Sequence, residues 1–327
     1  MRSCNHSETP DVTVNEQGTM DRMNSRDSQR IQLNREELAN RIGHLVTENG
    51  IFEPVEGLRL TRASEATERV HGVTKPSLCI IAQGAKEVYV GDRSYLYDPE
   101  HYLLATVELP VTGRVVEASS SQPYLALRLD LEPALVGSVL VESGPLPPSP
   151  PGSSKAVVVS PLDVELLDAV VRLVRLIGSP AESRLLLPLV KREIVFRLLV
   201  GEQGSRLRHL PTLGGHIDRI SQAVDRLRKE FDQPLRIDRI AKELGMSPSG
   251  FHHHFKVVTD MSPLQFQKQL RLQEARRLML GENLDAAGAG FRVGYEDPSH
   301  FSRDYKKHFG ESPIRNVDRL RSMVAAD

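Results

Sequence analysis

Two stretches decide the fold: IAKELGMSPSGFHHHFKVVTDMSP at 240–263 and AGFRVGYEDPSHFSRDYKKHFGESP at 289–313. At an offset of 50, Pro248, Ser249, Phe251, Phe255, Lys256, Ser262 and Pro263 fall on Pro298, Ser299, Phe301, Tyr305, Lys306, Ser312 and Pro313. Upstream the offset is 49, pairing Leu244–Gly245 with Val293–Gly294, so the second turn is one residue longer. Each copy reads as two helices about a turn. The first helix stops at Gly245 or Gly294, where a positive φ costs little. The second opens on a capping residue and then Pro, as Ser247-Pro248 or Asp297-Pro298. Phe251/Phe255 and Phe301/Tyr305 stand four apart and share one apolar face. The other face keeps short polar groups: Ser249, His252 and His253 in copy one, Ser299, Ser302 and Arg303 in copy two. A major groove admits such a helix, with residues near its N-terminus reaching the base edges. Joined in register by QFQKQLRLQEARRLML (265–280), the copies predict a double helix-turn-helix.

Overall charge hides this. The 327 residues hold 42 Lys+Arg against 43 Asp+Glu, a net of -1. Residues 213–327 hold 19 of those cations and 16 of the anions, leaving 23 against 27 before them. A basic C-terminal part, with six of the 11 His, suits a polyanion partner, although an ordinary solvated surface gives the same balance. Cys4 and Cys79 make neither a disulfide framework nor a zinc site, which points to a reducing, cytoplasmic setting.

The N-terminal part has another rhythm. Residues 1–30 are polar and without an apolar segment, so a disordered tail is expected rather than a signal peptide. Leu38, Ile42 and Leu45 mark a short amphipathic helix over 31–50. From about 57 to 130, short apolar runs such as SLCIIAQ, KEVYV and YLALRL alternate with turn residues, as in a small antiparallel barrel. Past the Pro-rich loop GPLPPSPPGSS (144–154), amphipathic helices are expected at about 161–178 and 184–201. Leu162, Leu166, Ala169, Leu173 and Leu176 in the first fit either dimerisation or packing on the chain's own barrel. Charges every few residues bar both helices from a membrane. The segment 201–215 reads as a linker to a domain over 216–327.

IAKELGMSPSGFHHHFK, SPLQFQKQLRLQEARRLML and VGYEDPSHFSRDYKKHFGESP resemble the DNA-binding domain of the AraC/XylS family of bacterial transcription regulators. Residues 75–113 and 189–210 are similar to the N-terminal arm of an AraC subgroup with a cupin-like barrel and appended helices. The resemblance implies an α+β multidomain chain: a cupin-like β-barrel domain over 31–200 and an all-α domain with two helix-turn-helices. It implies base reading by Ser249, His252, His253, Ser299, His300, Ser302 and Arg303, with Lys256, Lys306 and Lys307 on phosphates. Arg303 is the candidate for bidentate readout of guanine. The implied partners are promoter DNA, a small-molecule effector and, for an activator, RNA polymerase, with no membrane partner. The sequence departs from the family at His253, where Arg is usual, at Gly288 and Gly290, and in the closing Ser312-Pro313-Ile314-Arg315-Asn316-Val317. The glycines predict a softer second copy, since each costs about 0.5–1 kcal/mol against Ala.

Other chemistries find less support. Consecutive His252, His253 and His254 point about 100° apart on a helix, whereas a metal takes ligands at i and i+3 or i+4. His252 and His253 would instead gain charge below about pH 6.5 and tighten DNA binding. In the barrel, His71 and His101 lie far apart with no His-x-His pair, and no GxSxG elbow, P-loop or GxGxxG follows a strand. An enzyme is not expected, nor a cofactor. Cys79 fits a buried structural thiol, or a pocket thiol sensing electrophiles. Two alternatives stay open: a constitutive regulator with a purely dimerising barrel, and a cupin-type metalloenzyme fused to a DNA-binding domain.

Overall fold

The computed structural model describes residues 16–146, 155–208 and 216–324. The chain opens on α1 (Glu16–Leu45), so the polar stretch expected to be a disordered tail is helical from Glu16 onward; residues 1–15 lie outside the described part. Leu38 and Ile42, one turn apart, are fully buried on its inner face.

Among the described residues ten strands follow: β1 (Gly50–Val55), β2 (Leu58–Ala63), β3 (Val70–Thr74), β4 (Ser77–Gln83), β5 (Ala85–Val90), β6 (Arg93–Tyr97), β7 (His101–Ala105), β8 (Leu109–Glu117), β9 (Tyr124–Asp130) and β10 (Val157–Pro161). They form two facing antiparallel sheets, β1-β2-β9-β4-β7-β10 and β3-β8-β5-β6. The barrel-like body therefore extends beyond the expected 57–130 at both ends. Its last strand comes from KAVVVSP, a β-branched run on the far side of the Pro-rich loop.

The long sheet is covered on both faces, which explains why its central strands read as continuous apolar runs rather than alternating ones. Leu78, Ile80, Tyr102, Leu104, Leu125 and Leu127 pack under the helices, whereas Cys79, Ile81, Leu103, Ala105, Tyr124 and Ala126 face the second sheet. The helical cover is α1 with α2 (Pro133–Glu142), α3 (Val164–Arg175) and α4 (Pro180–Val200). Asp163 caps α3 by accepting from the Leu166 amide at 2.8 Å. The α3 stripe is spent inside the chain: Leu166, Ala169 and Leu173 are at most 1% exposed. The span read as a linker starts with a short helix, α5 (Gly204–Leu207), whose Leu207 is buried; residues 209–215 lie outside the described part.

The C-terminal part is all helical: α6 (His216–Lys229), α7 (Ile237–Glu243), α8 (Pro248–Thr259), α9 (Pro263–Gly281), α10 (Ala286–Arg292), α11 (Pro298–Phe309) and α12 (Pro313–Val324). One apolar cluster runs without a break from Val90 and Leu109 of the strands to Phe255, Val258 and Phe266 of the helices.

Candidate nucleic-acid interface and barrel cavity

Helices α7/α8 and α10/α11 are the two helix-turn-helices that the repeat predicts. Gly245 and Gly294 take φ of +64° and +86° at the turns. Ser247 accepts from the Gly250 amide at 3.1 Å, and Asp297 from the Ser299 amide at 2.7 Å. That bond holds the Asp297 carboxyl below its ordinary range. Phe251, Phe255, Phe301 and Tyr305 are completely buried, which fixes the outward face of each second helix. On α8, Ser249, His252, His253 and Lys256 are exposed, while His254 is half-buried. On α11, Ser299, His300, Arg303, Lys306 and Lys307 are exposed and Ser302 is half-buried. Arg303 lies along its own helix, Nε donating to the Ser299 carbonyl at 3.3 Å.

Gly290 has a packing reason that propensity does not show. A Cβ there would lie 3.0–3.2 Å from three atoms of Phe301, so its absence lets α10 close onto α11. The altered closing motif also acquires a role. Asn316 is 2% exposed; its Oδ1 accepts from the Tyr305 hydroxyl at 2.9 Å, and its Nδ2 donates to Glu311 at 3.2 Å.

The two units are held together by α9, whose start carries a full capping box between Ser262 and Gln265. Arg271 donates to the carbonyls of Phe231 (2.6 Å), Asp232 (3.2 Å) and Gln233 (2.9 Å) before α7, and of Gly294 (2.8 Å) in the second turn. One planar guanidinium thereby ties both halves of the reader. Lys268 adds an ion pair to Asp304 of α11 at 2.7 Å. The sequence shows an Arg-rich helix but gives no sign of the Arg271 clamp, because its acceptors are backbone carbonyls from distant segments.

The strands grip both units. At copy one, Asp260 after α8 accepts from the Tyr95 hydroxyl (3.0 Å) and pairs with Arg93 (3.0 Å), while the Ala156 amide donates to the Val258 carbonyl (2.8 Å). At copy two, Gln273 and Arg276 of α9 donate to the carbonyls of Gly72 (3.2 Å) and His71 (3.0 Å) on β3. The His71 ring meets His308 and Phe309 at 4.5 and 4.8 Å. Burial, then the neighbouring His308, push the His71 pKa down to about 3; burial and Arg276 bring His308 to about 4.

Between the sheets lies a cavity of about 530 Å³, with Ile51 and Val70 exposed at its rim. Apolar side chains such as Val88, Leu103 and Val115 line it, together with Cys79 and five cations: Arg59, Arg62, Lys86, Arg114 and Arg128. Burial pushes the Cys79 thiol up, which lowers its thiolate fraction and so its reactivity toward electrophiles. His101 sits at the start of β7 and bonds Asp98 at 2.8 Å, away from the lining. Among the described residues, no three His, Cys, Asp or Glu are grouped to hold a metal ion, and no helix is long and apolar enough to cross a membrane.

Comparison with known proteins agrees with both halves. Residues 54–206 match the family described as the AraC-type transcriptional regulator N-terminus, and residues 240–317 match a helix-turn-helix domain family. Relatives include the HTH-type transcriptional regulator ArgR of Pseudomonas aeruginosa, 27% identical over 128 residues, which are 39% of either chain. The HTH-type transcriptional activator RhaS of Klebsiella pneumoniae is 28% identical over 134 residues, 41% of this chain and 47% of RhaS. The chain thus spans less than half the length of these curated relatives. Among solved structures, apo ToxT from Vibrio cholerae superposes over 83% of this chain and 98% of its own, with a TM-score of 0.52 at 12% identity, a likeness of fold. With the strand-rich half, the capped helix pairs and these matches in agreement, the chain belongs to the AraC/XylS family of transcription regulators.

Proposed function

We propose that this protein is a sequence-specific, DNA-binding transcription regulator whose DNA affinity is set by a small molecule in the barrel cavity. The observation that carries the DNA half is the pair of capped helices, α8 and α11, each with its aromatic face buried and its polar face exposed. Ser249, His252, His253, Ser299, His300, Ser302 and Arg303 read bases, and Lys256, Lys306 and Lys307 hold phosphates. With α9 and Arg271 fixing their separation, the helices enter successive major grooves on one DNA face, about 34 Å apart. Activation fits the RhaS relatives and would take RNA polymerase as partner, in the cytoplasm.

Effector control rests on β3. Its Gly72 and Val73 line the cavity, and its His71 and Gly72 carbonyls are held by α9. A ligand that moves this strand changes how the second copy is held. For dimerisation, α4 is the better surface than α3. Leu185, Leu189, Phe196 and Val200 stay exposed at spacings of four, seven and four, as on an unpartnered helix stripe.

The test is selection of binding sites from random duplexes, followed by anisotropy across a salt series. A bipartite site whose affinity falls steeply with salt supports the reading. Binding without sequence preference contradicts it. Screening metabolites by thermal shift, then measuring operator affinity with each hit, tests the effector half.

A further inference from the structure

The barrel cavity has a charge pattern that an ordinary apolar core lacks. Among the described residues, five cations line it and no carboxylate does. Three of them are neutralised outside the lining: Arg59 by Glu53 (2.9 Å), Arg114 by Glu87 (2.7 Å) and Arg128 Nε by Asp130 (3.0 Å). Lys86 is buried with Cys79 and Arg128 as its titratable neighbours and no carboxylate beside it among the described residues, and the Nη2 of Arg128 is buried without a partner there. The two come from opposite walls, Lys86 from β5 and Arg128 from β9, where it is the register partner of Cys79. Burial, reinforced by repulsion from Arg128, holds the Lys86 ammonium below its ordinary range. Leaving such groups unsatisfied is costly, and a bound anion would satisfy both. Around them the lining turns apolar, with Val88, Leu103, Val111, Val115 and Val157 leading away from the charged end.

We infer that the cavity binds an amphipathic carboxylate, its head bridging Lys86 Nζ and Arg128 Nη2 and its hydrocarbon part filling the apolar space between the sheets. The inference rests on the cavity being the effector site and names the class of effector. A carboxylate suits the pair because its two oxygens can accept from an ammonium and a guanidinium together. A volume of about 530 Å³ is that of a small-molecule site. A carbonyl compound condensing with Lys86 is the competing chemistry, and the test separates the two.

Isothermal titration of the full chain with hexanoate, octanoate and decanoate, against octan-1-ol and octylamine, decides it. The carboxylates should bind, tightening about fourfold per added methylene until the cavity is full. The alcohol and the amine should bind at least tenfold more weakly than octanoate. Lys86→Met should weaken octanoate about 10- to 100-fold, while Lys86→Arg keeps most of the affinity. Without ligand, Lys86→Met should melt no lower than wild type, because it removes an unpaired charge. Octanol binding as tightly as octanoate, or Lys86→Met binding octanoate like wild type, overturns the inference. So does octanal trapped on Lys86 by borohydride when octanoate does not bind. Operator affinity separates the two levels. If octanoate binds through Lys86 yet leaves operator affinity unchanged, the site stands and effector control fails. If a neutral ligand shifts operator affinity and no carboxylate binds, effector control stands and the inference is overturned.

Discussion

The two helix-turn-helices share one local grammar and live in different surroundings. In copy one, Phe251, Phe255 and Phe266 belong to the same apolar cluster as Val90, Tyr97 and Leu109 of the strands. In copy two, Phe301 and Tyr305 close a separate cluster with Leu272, Ala275, Met279 and Val317. Copy one is welded to the barrel by a shared core. Among the described residues, copy two meets it across a rim of rings and polar groups: His71 against His308 and Phe309, Gln273 and Arg276 on the Gly72 and His71 carbonyls, and Arg319 on Glu68 at 3.1 Å. A repeat in sequence thus specifies capping and local packing but not what each copy leans on. Copy two is the part whose hold on the barrel can be changed by moving one strand.

The largest effect that breaks this symmetry is truncation of equivalent rings. Phe255→Ala and Phe301→Ala should each cost about 3–5 kcal/mol. By hydrogen exchange, Phe301→Ala should deprotect α10–α12 alone, whereas Phe255→Ala should also deprotect β5 and β8. Deprotection confined to the reader in both variants would remove the distinction. Next comes Gly290→Ala, where overpacking on Phe301 at about 1–3 kcal/mol outweighs the propensity gain of about 0.5–1 kcal/mol. A net loss of stability in urea is expected. A net gain would restore the view that this glycine only softens copy two. Tyr95→Phe is smaller. It removes one hydrogen bond to Asp260, worth about 0.5–1.5 kcal/mol, and should loosen copy one against the barrel without touching α11.

Acidity gives the smallest effect near neutrality and singles out copy two. His71 and His308 are held neutral in the fold, with pKa values of about 3 and about 4 against an ordinary 6.5. Below pH 6.5 the unfolded chain therefore binds more protons than the folded one, so stability is full above 6.5 and declines as pH falls toward 4. A melting temperature that falls over this range, with a shallower slope in His71→Phe, is the expected result.

Much of the reader was legible because its signals are local: a cap, a Pro, a glycine and two aromatic residues at fixed offsets. The strands were legible as runs, but their pairing was not. KAVVVSP joins β7 although β8, β9 and α2 lie between them in the chain, and nothing near it names that partner. The cavity was hidden for the same reason. Lys86 and Arg128 are 42 residues apart, and only the face-to-face packing of two sheets brings them to one space. Asn316 looked like a defect in a motif and proved to be the acceptor for a buried tyrosine.

The central claim, that one rigid unit reads two successive grooves, is tested most directly by footprinting a selected binding site with wild type and Arg303→Ala. The account predicts two protected segments about one helical turn apart, with Arg303→Ala losing or weakening only the segment under α11. A single protected segment, or equal loss of both in the variant, would contradict it.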